Sequence, residues 1–187
     1  MFREMSQLNK YLRQDEKILW SGKPEIVPFI FSGYAGFSLF GFVWLIFVLI
    51  MIMSVPVTGA PSPFMFFAAF FILFGLCIII GPLTAELLRY RNTEYAITNQ
   101  RLIAQTGVIG LDTRFVELDK IQEVYVTVGL LDKIYGTGSI IAVTAGYVPV
   151  GTPSPHGVLV RPAFRAIKNP YEVQRLLQEA IRGRSSP

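Results

Sequence analysis

Apolar and polar positions divide the chain into three unlike parts. From residue 26 to residue 85 there is no Asp, Glu, Lys, Arg or His. Within that stretch, residues 34–53 and 64–83 each reach the roughly 20 residues that a helix needs to cross a bilayer core about 30 Å thick. At about −0.3 to −0.6 kcal/mol for each Leu, Ile, Phe or Val at depth, each segment favours insertion by several kcal/mol. Between them runs Ser54-Val-Pro-Val-Thr-Gly-Ala-Pro-Ser-Pro63. Its prolines lack backbone donors and disfavour helix at the residue before, so a turn is expected. Residues 26–85 therefore read as a membrane α-helical hairpin that follows an N-terminal segment, 1–25. Ser32, Gly33, Gly36 and Gly41 are small residues suited to close packing between the two spans.

Beyond residue 85 the pattern changes. Glu86 to Asn92 reads as a short exit segment. From Thr93, β-prone runs alternate with turn residues, which predicts a compact all-β sheet or barrel. Asn99-Gln100 is expected as a tight turn into the run from Arg101. Val124, Val126 and Val128 share one face at period two, and Gly136-Thr-Gly138 is expected as a β-turn. The last strand is expected at 158–161. Asn169 and Pro170 then suit the cap and first turn of an amphipathic helix with Val173, Leu176, Leu177, Ala180 and Ile181 on its apolar face. Gly183 is expected to end it. The predicted domain spans 93–182, with a polar tail at 183–187.

Composition sharpens the membrane reading. Only 16% of residues are charged and the mean hydropathy is +0.47, against about 25% charged in an ordinary soluble domain. The net charge of +4 is spread thinly, which argues against a nucleic-acid binder with its dense basic face. Lys17 and Lys23 precede the first span, Arg89 and Arg91 follow the second, and the connecting loop has no Lys or Arg. The positive-inside rule therefore predicts a two-span protein of the cell membrane with both termini cytoplasmic. The first 25 residues lack the apolar core of a signal peptide.

Candidate chemistry is sparse. Cys77 is the single cysteine and lies in the second span; it is expected as a small apolar residue facing lipid or the other helix. His156, the single histidine, sits in the proline-rich stretch from Tyr147 to Gly157 without a nearby ligand set. Glu117 and Asp119, two apart, would share a strand face as an acid pair, or simply form a solvated face around Leu118. Gly136-Thr-Gly138 lacks the lysine of a phosphate loop. No catalytic residue, metal site or cofactor is expected. Trp20, Lys23, Arg89 and Arg91 are the expected membrane-interface residues, and Tyr147 and His156 mark a possible binding loop. The segment with Leu8, Tyr11 and Leu12 is expected either on the membrane or on the barrel.

Three stretches carry a resemblance: Asp15-Glu-Lys-Ile-Leu-Trp-Ser-Gly-Lys-Pro24, Thr93-Glu-Tyr-Ala-Ile-Thr-Asn-Gln-Arg-Leu-Ile103 with Gly107, and the region from Val116-Glu-Leu-Asp-Lys-Ile121 to Gly136-Thr-Gly-Ser-Ile140. Together they resemble the bacterial pleckstrin-homology (PH)-like family of small two-helix (YdbS-like) membrane proteins. The resemblance implies an all-β PH-like barrel of about seven strands capped by the C-terminal amphipathic helix. It also implies a binding module rather than an enzyme. Phosphoinositide binding is not carried over, because the hairpin around Asn99-Gln100-Arg101 lacks a basic cluster.

The expected function is a membrane-anchored binding or scaffolding module at the cytoplasmic face, without catalytic activity. Its expected partners are the lipid bilayer, anionic lipid and a protein partner or second copy of the chain, with no nucleic acid. A subunit of an oligomeric pore or transport assembly and a membrane-surface enzyme are the alternatives.

Overall fold

The computed structural model describes residues 8–54, 62–144 and 163–185. The first strand comes early. Ile18–Gly22 (β1) precedes two long apolar helices, Ile26–Met53 (α1) and Ser62–Arg91 (α2). Then follow Glu94–Thr98 (β2), Arg101–Thr106 (β3), Asp112–Glu117 (β4), Ile121–Thr127 (β5), the short helix Leu130–Tyr135 (α3), Thr137–Thr144 (β6), Ala163–Lys168 (β7) and Pro170–Ser185 (α4). The strands form two antiparallel sheets, β1-β2-β3-β4 and β5-β6-β7.

Several expectations are corrected here. Among the described residues the two sheets do not close into a barrel. The domain does not begin at Thr93, because β1 pairs with β2, with Trp20 opposite Ile97 and Gly22 opposite Tyr95. The helical pair is thus an insertion between two neighbouring strands of one sheet. The exit segment is not a linker either: α2 continues unbroken through Glu86 to Arg91. Asn99-Gln100 does join two strands as expected, but they are the second and third. The strand expected at 158–161 and the loop with Tyr147 and His156 lie outside the described residues, and the observed last strand is Ala163–Lys168.

Three local readings also change. The turn expected at Gly136-Thr-Gly138 is confined to Gly136. This residue ends α3 with φ +64°, a left-handed conformation that glycine adopts without a Cβ penalty, and Gly138 already lies in β6. Asp119 is not on a strand, since Leu118–Lys120 forms a single 3-10 turn. Gly183 lies inside α4, which runs to Ser185.

The core sits between the sheets and under α4. Tyr95, Ile97, Leu102, Leu118, Ile140, Phe164 and Ile167 are buried in it, joined by Val173 and Leu177 from α4. Leu176, Ala180 and Ile181 pack against the same cluster, as the helical periodicity requires, and so do Val124 and Val126 of β5. β2 and β3 are buried on both faces. Their second face, Ala96 and Ile103, is covered by Leu12. The N-terminal segment therefore packs on the sheet, with the Tyr11 ring 6.1 Å from that of Phe115.

The helical pair packs through small residues. A Cβ at Gly41 would stand 2.5 Å from Ile79 Cγ1, and one at Gly75 would stand 2.7 Å from Leu45 Cδ2. Those two glycines let the backbones approach. Gly36 has no such neighbour. Trp44 donates from Nε1 to the Phe71 carbonyl at 3.1 Å, and the Tyr34 hydroxyl donates to the Ile79 carbonyl at 2.8 Å. The outer faces are exposed Phe, Leu, Ile and Val side chains, and Cys77 is exposed among them. Residues Pro63–Arg91 are long and apolar enough to cross a membrane, and only 11% of their most apolar window is buried. In α1, Ile26–Tyr34 and Leu39–Met53 are inclined by 60°, so α1 meets the same criterion only as one broken span.

Candidate functional site

The junction between the helical pair and the sheets gathers most of the buried polar chemistry near the helices. It is built from the first turns of α1, the last turns of α2, the start of β2 and the strand β7. β7 is irregular: its register with β6 shifts between Gly138 and Ile140, and Ala166 has φ +52°. A left-handed alanine costs about 1–2 kcal/mol. Here the Ala166 carbonyl accepts the Glu25 N–H at 2.7 Å, at the first turn of α1. Glu25 also takes an ion pair from Lys168 at 2.8 Å.

One residue earlier, Arg165 reaches the helix. Its Nη2 donates to Ser32 Oγ at 2.7 Å, and its guanidinium lies 4.9 Å from the centre of the Phe29 ring. Phe29 is fully buried, with its ring 6.0 Å from that of Tyr90 on α2. The Arg165 N–H donates to the Tyr95 hydroxyl at 3.1 Å. Burial pushes the Tyr95 hydroxyl up to about 12, against the opposing pull of Arg165, so it stays a neutral partner at any physiological pH.

On the α2 side, Glu86 is turned inward. A Cβ at Gly33 would stand 2.6 Å from its Oε1, and Arg89 pairs with that same oxygen. The Thr93 hydroxyl donates to the Arg89 carbonyl, closing the end of α2. Asn92 Nδ2 donates to the carbonyls of Gly107 at 3.1 Å and Val108 at 3.4 Å, fixing the β3–β4 loop beside the helix end. Lys23, just before α1, pairs with Glu94 at 3.4 Å.

The residues singled out from sequence separate. Lys23 and Arg89 stand at the junction, and Arg91 is exposed at the end of α2. Trp20 belongs to the domain core: it stacks on Phe164 with ring centroids 5.8 Å apart. Glu117 and Asp119 do not form an acid pair. Glu117 takes Lys120 at 3.1 Å and Arg13 at 3.5 Å, and Lys120, with Arg13 behind it, holds the Glu117 carboxyl below its usual range. These residues line an open cleft of about 600 Å³ with Gln122 and Thr144, in which Arg13 and Lys120 both pair with Glu117. Among the described residues no group of three His, Cys, Asp or Glu could hold a metal ion. The roles of Arg165 and Ala166 had no local signal, because both depend on a helix more than a hundred positions away.

A family model described as bacterial PH domain matches residues 36–181. It begins within α1 and ends within α4, so β1 lies ahead of the matched region. No curated protein matches the chain. Among solved structures, a DUF1696 family protein with a pleckstrin-homology domain from Shewanella loihica PV-4 is 14% identical. The alignment covers 50% of this chain and 74% of that one, with a TM-score of 0.36.

Proposed function

The chain belongs to the bacterial PH domain family, and from that premise we propose a membrane-anchored binding or scaffolding module that performs no catalytic step of its own. PH domains are in general non-catalytic, and a bacterial PH-like domain supports a binding or scaffolding role. The single observation that carries the anchoring is the place of the insertion. The apolar pair leaves from β1 and returns into β2, two adjacent strands of the same sheet. In this reading α2 and the broken α1 are the two spans, and Lys17, Lys23, Arg89 and Arg91 hold both termini in the cytoplasm.

Two short connections then tie the domain to the bilayer. Only residues 23–25 separate β1 from α1, and only Asn92 and Thr93 separate α2 from β2. A domain held so closely meets partners confined to the membrane at high effective concentration. Those partners are membrane proteins, a second copy of the chain, or anionic lipid.

The test is photo-crosslinking in cells from exposed domain positions such as Gln122 and Glu179, with the adducts identified by mass spectrometry. Membrane proteins or lipids are expected in the adducts, and the chain is expected to stay in the membrane fraction at alkaline pH. Release by alkaline carbonate, or adducts made only with soluble proteins, would refute the reading.

A further inference from the structure

Two apolar tips lie against the helical pair, one at the end of α2 and one beside α1. The first is the β3–β4 loop, where Ile109 is 98% exposed and Leu111 is 51% exposed. Asn92 fastens this loop to the end of α2 through the Gly107 and Val108 carbonyls. The second is α3, which packs beside α1. There Leu130 is 81% exposed and Ile134 is 70% exposed, four apart and so on one helical face. Tyr135 is exposed beside them.

The apolar surface of α2 leads toward the first tip. The one acid in its lower half, Glu86, is buried against Gly33 and paired with Arg89, while Leu87 and Leu88 are exposed. With Glu86 turned inward, the apolar outer face extends past Leu83 by five residues, about 7.5 Å of helix. It stops at Arg89 and Arg91, next to Asn92 and the β3–β4 loop. The charge around the tips is also ordered. On α3 the Asp132 carboxylate is held inward by the Gly129 N–H at 2.9 Å and the Thr137 hydroxyl at 2.6 Å, while Lys133 is exposed. The acid nearest the other tip is Asp112, at the start of β4.

We propose that the β3–β4 loop and α3 are lipid-contacting feet, which seat Ile109, Leu111, Leu130 and Ile134 in the interfacial layer of an anionic bilayer beside the hairpin. This inference rests on the membrane-anchored reading above. Exposed aliphatic side chains continuous with a lipid-facing helix, with Arg91 exposed beside one tip and Lys133 on the other, match the chemistry of an interface that buries apolar groups and attracts cations. Two feet and the hairpin give three points of support, which fix the tilt of the domain and so the surface it offers to partners.

The test uses the full chain in vesicles of phosphatidylcholine and phosphatidylglycerol, with Cys77→Ser as background. A fluorescent label is placed by Ile109→Cys or Ile134→Cys, with Leu73→Cys as a reference on α2 and Glu179→Cys as a reference on α4. Lipids carrying a spin label near the headgroup are expected to quench positions 109 and 134 at least about twofold more than position 179. Deeper spin labels are expected to quench position 73. If position 73 is quenched while 109 and 134 match 179 and are open to aqueous iodide, the feet lie in water, free for a protein partner, and the inference is overturned. If position 73 is not quenched by lipid, the membrane-anchored reading fails first.

Discussion

The Glu16 carboxylate and the Arg101 guanidinium, 85 residues apart in sequence, form a two-pronged buried ion pair: Nε to Oε1 at 2.9 Å and Nη2 to Oε2 at 3.0 Å. Their side chains are 0% and 6% exposed. The Arg13 N–H and the Thr98 hydroxyl complete the Glu16 oxygens, each at 2.7 Å, and Arg101 also donates to the Tyr11 carbonyl. The Phe115 ring lies 4.2 Å from the guanidinium carbon. The pair fastens the N-terminal segment over β2 and β3. Removing one partner strands a buried charge, so Arg101→Ala is expected to lower domain stability by about 3–5 kcal/mol. Replacing both, Glu16→Leu with Arg101→Met, is expected to cost far less. Thermal unfolding followed by Trp20 fluorescence in a Trp44→Phe background, with the full chain in mild detergent, separates the two outcomes.

The same pair sets an acid limit. Burial pushes the Glu16 carboxyl up, but Arg101, the Arg13 amide and Thr98 together outweigh it and hold it below its ordinary value of 4.5. A carboxyl with a lower pKa in the folded chain than in the unfolded chain adds stability above the unfolded value and loses it as pH falls through the folded one. Domain stability is therefore expected to be level in this contribution above pH 4.5 and to decline below it. Glu16→Gln, less stable at neutral pH, is expected to show a shallower acid decline in the same unfolding measurement.

Close approach of the two helices depends on Gly41 and Gly75. Gly75→Leu drives a side chain into Leu45 and Trp44 and is expected to cost about 1–3 kcal/mol. It should also break the bond from Trp44 to the Phe71 carbonyl. Trp44 fluorescence, isolated by Trp20→Phe, is expected to shift. Gly36→Leu, where a Cβ meets nothing within 4 Å, is expected to leave it unchanged.

Docking of the helices on the sheet depends on the turned carbonyl of Ala166. A β-branched residue tolerates φ +52° far less well than alanine. Ala166→Val is expected to straighten β7 or strain it by about 1–3 kcal/mol. Hydrogen exchange is expected to speed up at the Glu25 amide, which loses its acceptor.

What was legible in the sequence was what local pattern dictates. The stretch without charge required two apolar helices, and the proline turn expected between them lies outside the described residues. Val124 and Val126 and the stripe from Val173 to Ile181 face the core the periodicity assigns to them, while Val128 falls beyond the end of β5. The hairpin turn at Asn99-Gln100 was equally local. Of the candidate site, Lys23 and Arg89 were legible as charges beside helix ends. Trp20 was legible as an amphipathic ring near a helix, and its place in the core was not.

Tertiary structure decided the rest, because the deciding contacts join residues far apart. Nothing near Ile18–Gly22 reveals that its partner strand lies beyond two helices, so the domain boundary could not be read from the strand itself. The inward turn of Glu86 depends on a glycine of the other helix, and the bent β7 depends on an amide of α1. By itself, the sequence determined that two apolar helices accompany a sheet-rich domain, since burial periodicity is a local property. That the helices are an insertion within one sheet, braced at their base by Arg165 and Ala166, was decided only when long-range pairing brought those residues together.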